Sequence, residues 1–284
     1  MNINIKLTRS ENAQYHGVNV GTVISMDIEE YLRGVVPSEV SASWDADALR
    51  AQAIAARTYG IFHGAGSQTI NDTTQYQSYH TNKIDYRTDA AITATAGIVL
   101  TYNSSIIDAV FSASNGGRCV SAQEHWGNAL PYLIAQNDPW TQATGEEKQG
   151  HGVGLSQYGA MYAAGTLGKT YQQILAFYYP GTSLTANYNG AGSGSSGTYT
   201  TWQAKYGNNT FVNSNSYSGN VYRFQVDMNK WRRVRSLSEI GEDGKWGSES
   251  TAATLTFQQA YSDLTDDGKA GPATKAKLFT LHGQ

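Results

Sequence analysis

Cysteine occurs once in the 284 residues, at Cys119. No disulfide can therefore form within the chain, and no Cys/His cluster has the spacing of a zinc site. Charge is scarce. Asp, Glu, Lys and Arg make up only 15% of the sequence, and the net charge is −3. A nucleic-acid partner normally leaves a basic footprint, so the balance argues against one. No run of 18 apolar residues occurs, which argues against a transmembrane helix. The opening MNINIKLTRS alternates like a strand and lacks the long apolar centre of a secretory leader. Export would then need a leader that has been removed, or another route such as delivery by a phage or an injection device.

What is present is glycine (30), tyrosine (19) and many Asn, Ser and Thr residues. Aromatic rings stack on sugar rings and Asn bonds to hydroxyls. The composition suits a carbohydrate-facing protein, and equally an extracellular protein with no sugar site. With 40% hydrophobic residues, the length suffices for one large domain, or a medium domain and a small one.

The pattern predicts an α+β protein. INIKL and VISMDI read as strands, IEEYLRGVV as a short helix, and WDADALRAQAIAARTYGIFHG as a strong helix capped by Asp45. RTDAAITATAG reads as a further helix. IVLTYNSSIIDAVFSAS reads as two strands joined at Asn103-Ser104, and YQQILAFYYPG as a last helix. These make a mixed domain over 1–184. A Gly/Ser/Thr-rich stretch at 185–200 reads as a linker. A small all-α module follows at 201–284, marked by the echoing phrases EDGKWG and DDGKAGPAT.

Three constellations carry chemistry. In VVPSEVSASW, residues 35–44, Glu39 is the sole acid among small or apolar neighbours. Arg57 borders the apolar stripe of Leu49, Ala53, Ala56 and Gly60 on the following helix. A cation there needs an acceptor, so the two are expected to meet, either as an ordinary ion pair or as a tuned acid. FSASNGGRC places Ser114 and Asn115 in a turn that offers N–H groups and small polar side chains to a ligand, or is a plain β-turn. GHGVGLSQYGA frames His151 with glycines and leads through Gln157 into a helix.

Taken together, EEYLRGVVPSEVSASWDADALRAQAIAARTYG, FSASNGGRC, EHWGNALPYL and GHGVGLSQYGAMYAAG, followed by YQQILAFYYPGT, resemble the sporulation stage II protein D and amidase-enhancer family over roughly 25–184. The resemblance implies a peptidoglycan lytic transglycosylase that cuts between N-acetylmuramic acid and N-acetylglucosamine. Glu39 falls on the family's catalytic acid/base and Arg57 on its functional arginine. Tyr132 falls on its PYL tyrosine. The lysine often found two residues further on is Ile134 here, a departure. Ser114, Asn115, Tyr132, His151 and Gln157 are candidate glycan contacts. Some members bind zinc near the segment DTTQYQSYH, but His80 stands there without cysteines, so neither metal nor cofactor is expected. The C-terminal part, about 217–281, resembles the three-helix peptidoglycan-binding domain. Residues 198–216 match neither family. The implied partners are peptidoglycan glycan strands and, in the enhancer branch, a cell-wall amidase. The implied location is extracytoplasmic, at the cell wall.

Overall fold

A computed structural model describes residues 1–186, 188, 201–206, 210–211, 219–241 and 246–283. The chain divides into two compact units, Met1–Ser196 and Gly197–Gln284. The first is α+β. It begins with β1 (Asn2–Lys6), α1 (Ser10–Tyr15), β2 (Val23–Asp27), α2 (Ile28–Glu39) and α3 (Ala46–Gly64). β3 (Ile70–Asn71) and a 3-10 turn (Thr81–Lys83) lead to α4 (Tyr86–Ala94), then β4 (Val99–Tyr102) and β5 (Ser105–Ile106). Short elements follow: β6 (Phe111–Ser112), β7 (Arg118–Cys119), α5 (Ala122–Trp126), β8 (Gln136–Asn137) and α6 (Pro139–Thr144). The unit closes with β9 (Leu155–Ser156), α7 (Gln157–Gly165), α8 (Tyr171–Tyr178) and β10 (Ser183–Thr185).

The sheets are small. β1 is central to the first, antiparallel to β2 with Ile3 opposite Met26, and parallel to β3. β4 is central to the second, between β10 and β5. Asn103 and Ser104 both take positive φ, 48° and 65°, the geometry of a two-residue hairpin turn. The strand expected after that turn stops at Ile106. Phe111–Ser112 instead pairs in parallel with β9, forty-odd residues later, a partner that local patterning cannot identify.

α3 is the axis of this unit. Asp45 caps it by accepting from Asp47 N–H at 2.8 Å. Ala48, Ala51, Ile54 and Ala55 face one core cluster, with Leu100, Leu155 and Tyr178. Leu49, Ala53 and Ala56 face a second, with Ile3, Tyr31 and Val35. A helix buried on two faces needs small residues so that neighbours can approach its backbone, which explains the run of alanines. The unit extends past the boundary expected at 184. Thr185 completes β10, and Tyr188 donates its N–H to the Gly97 carbonyl at 3.2 Å. The rest of the expected linker lies outside the described residues.

The second unit contains α9 (Trp202–Tyr206), α10 (Gly219–Val234), α11 (Ser248–Gln259) and α12 (Pro272–Leu278), with a final π-helical turn. Phe224, Met228, Trp231 and Phe257 build its core, and burying such side chains is worth roughly 1.5–3 kcal/mol each. Gln258 fastens the second acidic-Gly turn. Its Oε1 accepts from Asp267 N–H at 3.1 Å and Gly268 N–H at 2.7 Å, and its Nε2 donates to Thr274 Oγ1 at 3.1 Å. The first such turn, 242–245, lies outside the described residues. Part of the stretch that sequence reading left unassigned belongs to this core: Tyr206 donates to Asp227 at 2.6 Å, and Phe211 bridges Ala270.

Candidate functional site

α2 delivers Glu39 at its last turn. Asp27 caps the start of the helix, accepting from Glu29 N–H at 3.0 Å. Reading the sequence, the helix stops before Pro37; in the structure it runs on to Glu39. Proline removes one N–H from the ladder. The Ser38 hydroxyl donates to the Gly34 carbonyl at 2.6 Å, and Val40 N–H to Val36 at 3.0 Å, and these bonds hold the final turn. Ser78 N–H donates to Glu39 Oε1 at 2.6 Å. Burial pushes the Glu39 pKa up, while the Ser78 N–H, the Gln157 amide and the Lys83 charge pull it partly back. The net shift is upward, which keeps the proton on the carboxyl closer to neutral pH. Gln157, the first residue of α7, is 5% exposed, and its Nε2 makes no hydrogen bond of good geometry.

Arg57 does not meet Glu39, which corrects the expected pairing. Its guanidinium is fully buried and grips Glu29, Nε to Oε1 at 2.8 Å and Nη2 to Oε2 at 2.6 Å. The remaining donors reach the Ile92 and Ile98 carbonyls at 3.2 and 3.3 Å. Glu29 and Glu39 stand at opposite ends of α2, about 15 Å apart at 1.5 Å per residue. Arg57 therefore clamps α2 and α3 to the α4–β4 connection, and its charge is spent on that task.

Beside Glu39 the structure assembles a cluster that sequence reading passed over. Tyr59 and His63 lie one turn apart on α3, with ring centroids 4.3 Å apart. His63 Nε2 is 2.9 Å from Asp108 Oδ1. The Tyr76 ring meets His63 at 6.1 Å, and Phe111 meets Tyr59 at 6.3 Å. His151 follows, packed on His125 at 5.9 Å and on the half-exposed Trp126 at 5.4 Å. Its Nδ1 accepts from Val153 N–H at 3.0 Å. Burial and then His125 lower its pKa, with Lys148 adding to this against the Phe111 backbone and Asp108, so the ring is neutral near pH 7.

Other predicted contacts turn inward. Ser114 is fully buried, donating to the Glu146 carbonyl at 3.3 Å and accepting from Gly116 N–H. Asn115 is buried too, donating to Asp138 at 2.8 Å and accepting from Gly117 N–H at 2.9 Å. Both side chains stabilise the turn itself. Tyr132 is 8% exposed, and its hydroxyl accepts from Asp108 N–H at 3.3 Å. Ile134 is exposed. Gly154, at φ 69°, brings its Cα against the Val110 carbonyl where any Cβ would collide, and so permits the β6–β9 pairing. Among the described residues, no three His, Cys, Asp or Glu side chains are grouped to hold a metal ion, and no helix is long and apolar enough to cross a membrane.

Comparison with known proteins adds a family to this geometry. Residues 16–102 match the family model described as Stage II sporulation protein. An amidase enhancer of Bacillus subtilis (strain 168) is 45% identical over 107 residues, covering 38% of this chain and 15% of that protein. The Stage II sporulation protein D of the same strain is 26% identical over 262 residues, covering 58% of this chain and 76% of that protein. The protein of that name from Bacillus amyloliquefaciens is 32% identical over 139 residues, covering 42% and 40%. The chain thus spans only a small part of the amidase enhancer's length. The matched span holds Glu39, Arg57, Tyr59 and His63; Asp108, Tyr132, His151 and Gln157 lie beyond it. From His16 to Tyr102, then, the chain is similar to the proteins described as Stage II sporulation protein.

Proposed function

We propose that the first unit is a peptidoglycan lytic transglycosylase with Glu39 as its acid. The observation that carries this reading is the Glu39 carboxyl itself: partly buried, raised in pKa, steadied by a backbone N–H, and set beside aromatic side chains suited to sugar rings. Protonated Glu39 donates to the glycosidic oxygen as the bond between N-acetylmuramic acid and N-acetylglucosamine breaks. The sugar's own 6-hydroxyl then closes on the anomeric carbon and gives a 1,6-anhydro end. Water is not consumed. The reaction therefore needs no second carboxylate to activate water, unlike the paired-carboxylate hydrolases. Arg57 serves this indirectly, by fixing the helices that present Glu39. The second unit supplies wall attachment and raises the local glycan concentration.

Purified protein incubated with peptide-stripped glycan should release anhydro-muramic ends. Reducing ends alone would identify a hydrolase. The name of the 45%-identical relative favours a second reading, a non-catalytic enhancer of a cell-wall amidase. In that case no glycan is cut, and added amidase works faster.

A further inference from the structure

We infer that the His63–Asp108 pair is the base of the ring-closing step, taking the proton of the substrate's 6-hydroxyl at His63 Nδ1. This rests on the transglycosylase reading of the same site and divides its proton work between two groups.

The geometry is that of a histidine poised to accept a proton. A carboxylate can only accept a hydrogen bond, so the 2.9 Å contact to Asp108 Oδ1 puts the ring proton on Nε2 and leaves a lone pair on Nδ1. Nδ1 makes no hydrogen bond among the described residues, and the side chain as a whole is 27% exposed. Asp108 is itself held in place: its backbone N–H donates to the Tyr132 hydroxyl. Tyr132 thereby becomes a positioning residue that acts through Asp108.

Glu39 and His63 are tied to one short stretch of chain. Ser78 N–H binds Glu39, and the Tyr76 ring packs on His63. Tyr59 stands by both groups. Burial, then Asp108, Tyr76 and Glu39, hold its phenol far above the ordinary value, so it stays a neutral hydroxyl and does not compete as a base. The groups facing His63 are thus Tyr59 and Phe62 on its own helix, Tyr76 from the segment before the 3-10 turn, and Asp108 from the β5–β6 connection. His151 faces Asp108 from the β8–β9 side.

In the step, the bond from the anomeric carbon to the glycosidic oxygen breaks, and that oxygen takes the proton of Glu39. The 6-oxygen bonds to the anomeric carbon and passes its proton to His63 Nδ1. The resulting imidazolium is stabilised by Asp108, and its proton returns to the Glu39 carboxylate through solvent. Glu39 therefore need not reverse its role while still bonded to the departing hydroxyl.

The test uses the full chain, peptide-stripped glycan and product analysis. His63→Gln should cut at a rate lower by roughly 10²-fold or more, and imidazole added to His63→Ala should restore cutting in a dose-dependent way. Wild-type protein that makes anhydro ends, beside a His63→Gln protein that makes them equally fast, overturns the base assignment and leaves the transglycosylase reading intact. A slow His63→Ala that imidazole does not rescue also overturns it. Should His63→Gln fail to fold, Asp108→Asn read in the same assay decides: an unchanged rate and pH profile overturn the pair. Wild-type protein that cuts nothing removes the transglycosylase reading and this inference with it.

Discussion

Replacing Arg57 separates a structural role from a chemical one. In Arg57→Ala, Glu29 loses both of its charge-assisted bonds, and the Ile92 and Ile98 carbonyls lose their donor. Removing one partner of a buried pair costs about 3–5 kcal/mol. Glu29 retains 20% exposure, so it rehydrates in part and the lower end, about 3 kcal/mol, applies. For a unit of this size 1 kcal/mol shifts the melting midpoint by roughly 2–4 °C, so a fall of about 6–12 °C is expected. Thermal melting by circular dichroism measures it. The double variant Arg57→Met/Glu29→Gln, which removes the charge on both sides, should recover part of the loss. Cleavage by Arg57→Ala, assayed well below its midpoint, should retain the wild-type pH dependence. A variant that melts within about 2 °C of wild type yet no longer cuts glycan would refute the clamp and return Arg57 to the chemistry.

Glu39→Gln should reduce cleavage by roughly 10²–10⁴-fold while wall pelleting is unchanged, and wild-type turnover by this variant would end the acid assignment. Its stability should also depend on pH in a definite sense. The folded Glu39 pKa lies above the ordinary 4.5, so its favourable contribution is complete below 4.5 and is lost as pH rises through the folded value. Relative to Glu39→Gln, wild type should gain in melting midpoint as pH falls from neutral toward 4.5, and a constant difference would contradict this. Burial and then Asp138 push the Cys119 thiol up to about 12, so the native protein should resist iodoacetamide at pH 8 and react once denatured. Gly159→Ala would drive a Cβ into the Tyr178 hydroxyl and Thr141, disturbing their bonds to Asp138, and should cost about 1–3 kcal/mol in chemical denaturation. Deleting 198–284 should weaken pelleting with cell wall and spare the cutting of soluble glycan, whereas equal pelleting would refute the binding role of the second unit.

Local signals carried much of the fold. The alternation in INIKL, the Asp45 cap and the alanine run on α3 each reflect one element and its immediate burial, and each was readable. Glu39 stood out for the same reason, as an acid with no local partner. The error over Arg57 arose because α2 offers carboxylates at both of its ends, Glu29 as well as Glu39. Sequence adjacency favoured Glu39, whereas helix geometry brings Glu29 to Arg57 across 28 residues. The inward bonds of Ser114 and Asn115 were not legible because a turn that satisfies its own backbone and one open to a ligand have the same composition. The His63–Asp108 pair spans 45 residues. Taken alone, His63 resembles an ordinary cation near a helix C-terminus, and Asp108 sits in a segment that reads as strand. The signal that was available was the spacing of Tyr59 and His63, four apart and so on one face of α3.

The position of α3 bears on how such a site could diverge. Its alanines are divided between two layers, Ala48, Ala51 and Ala55 against one and Ala53 and Ala56 against the other, so enlarging any of them would push one layer away from the helix. Tyr59 and His63, one to two turns further along the same rod, reach its rim and are partly accessible to solvent. Substrate preference can therefore be retuned at one end of this helix while its middle stays frozen, and lineages that differ in glycan taste should still share an almost invariant small-residue spine.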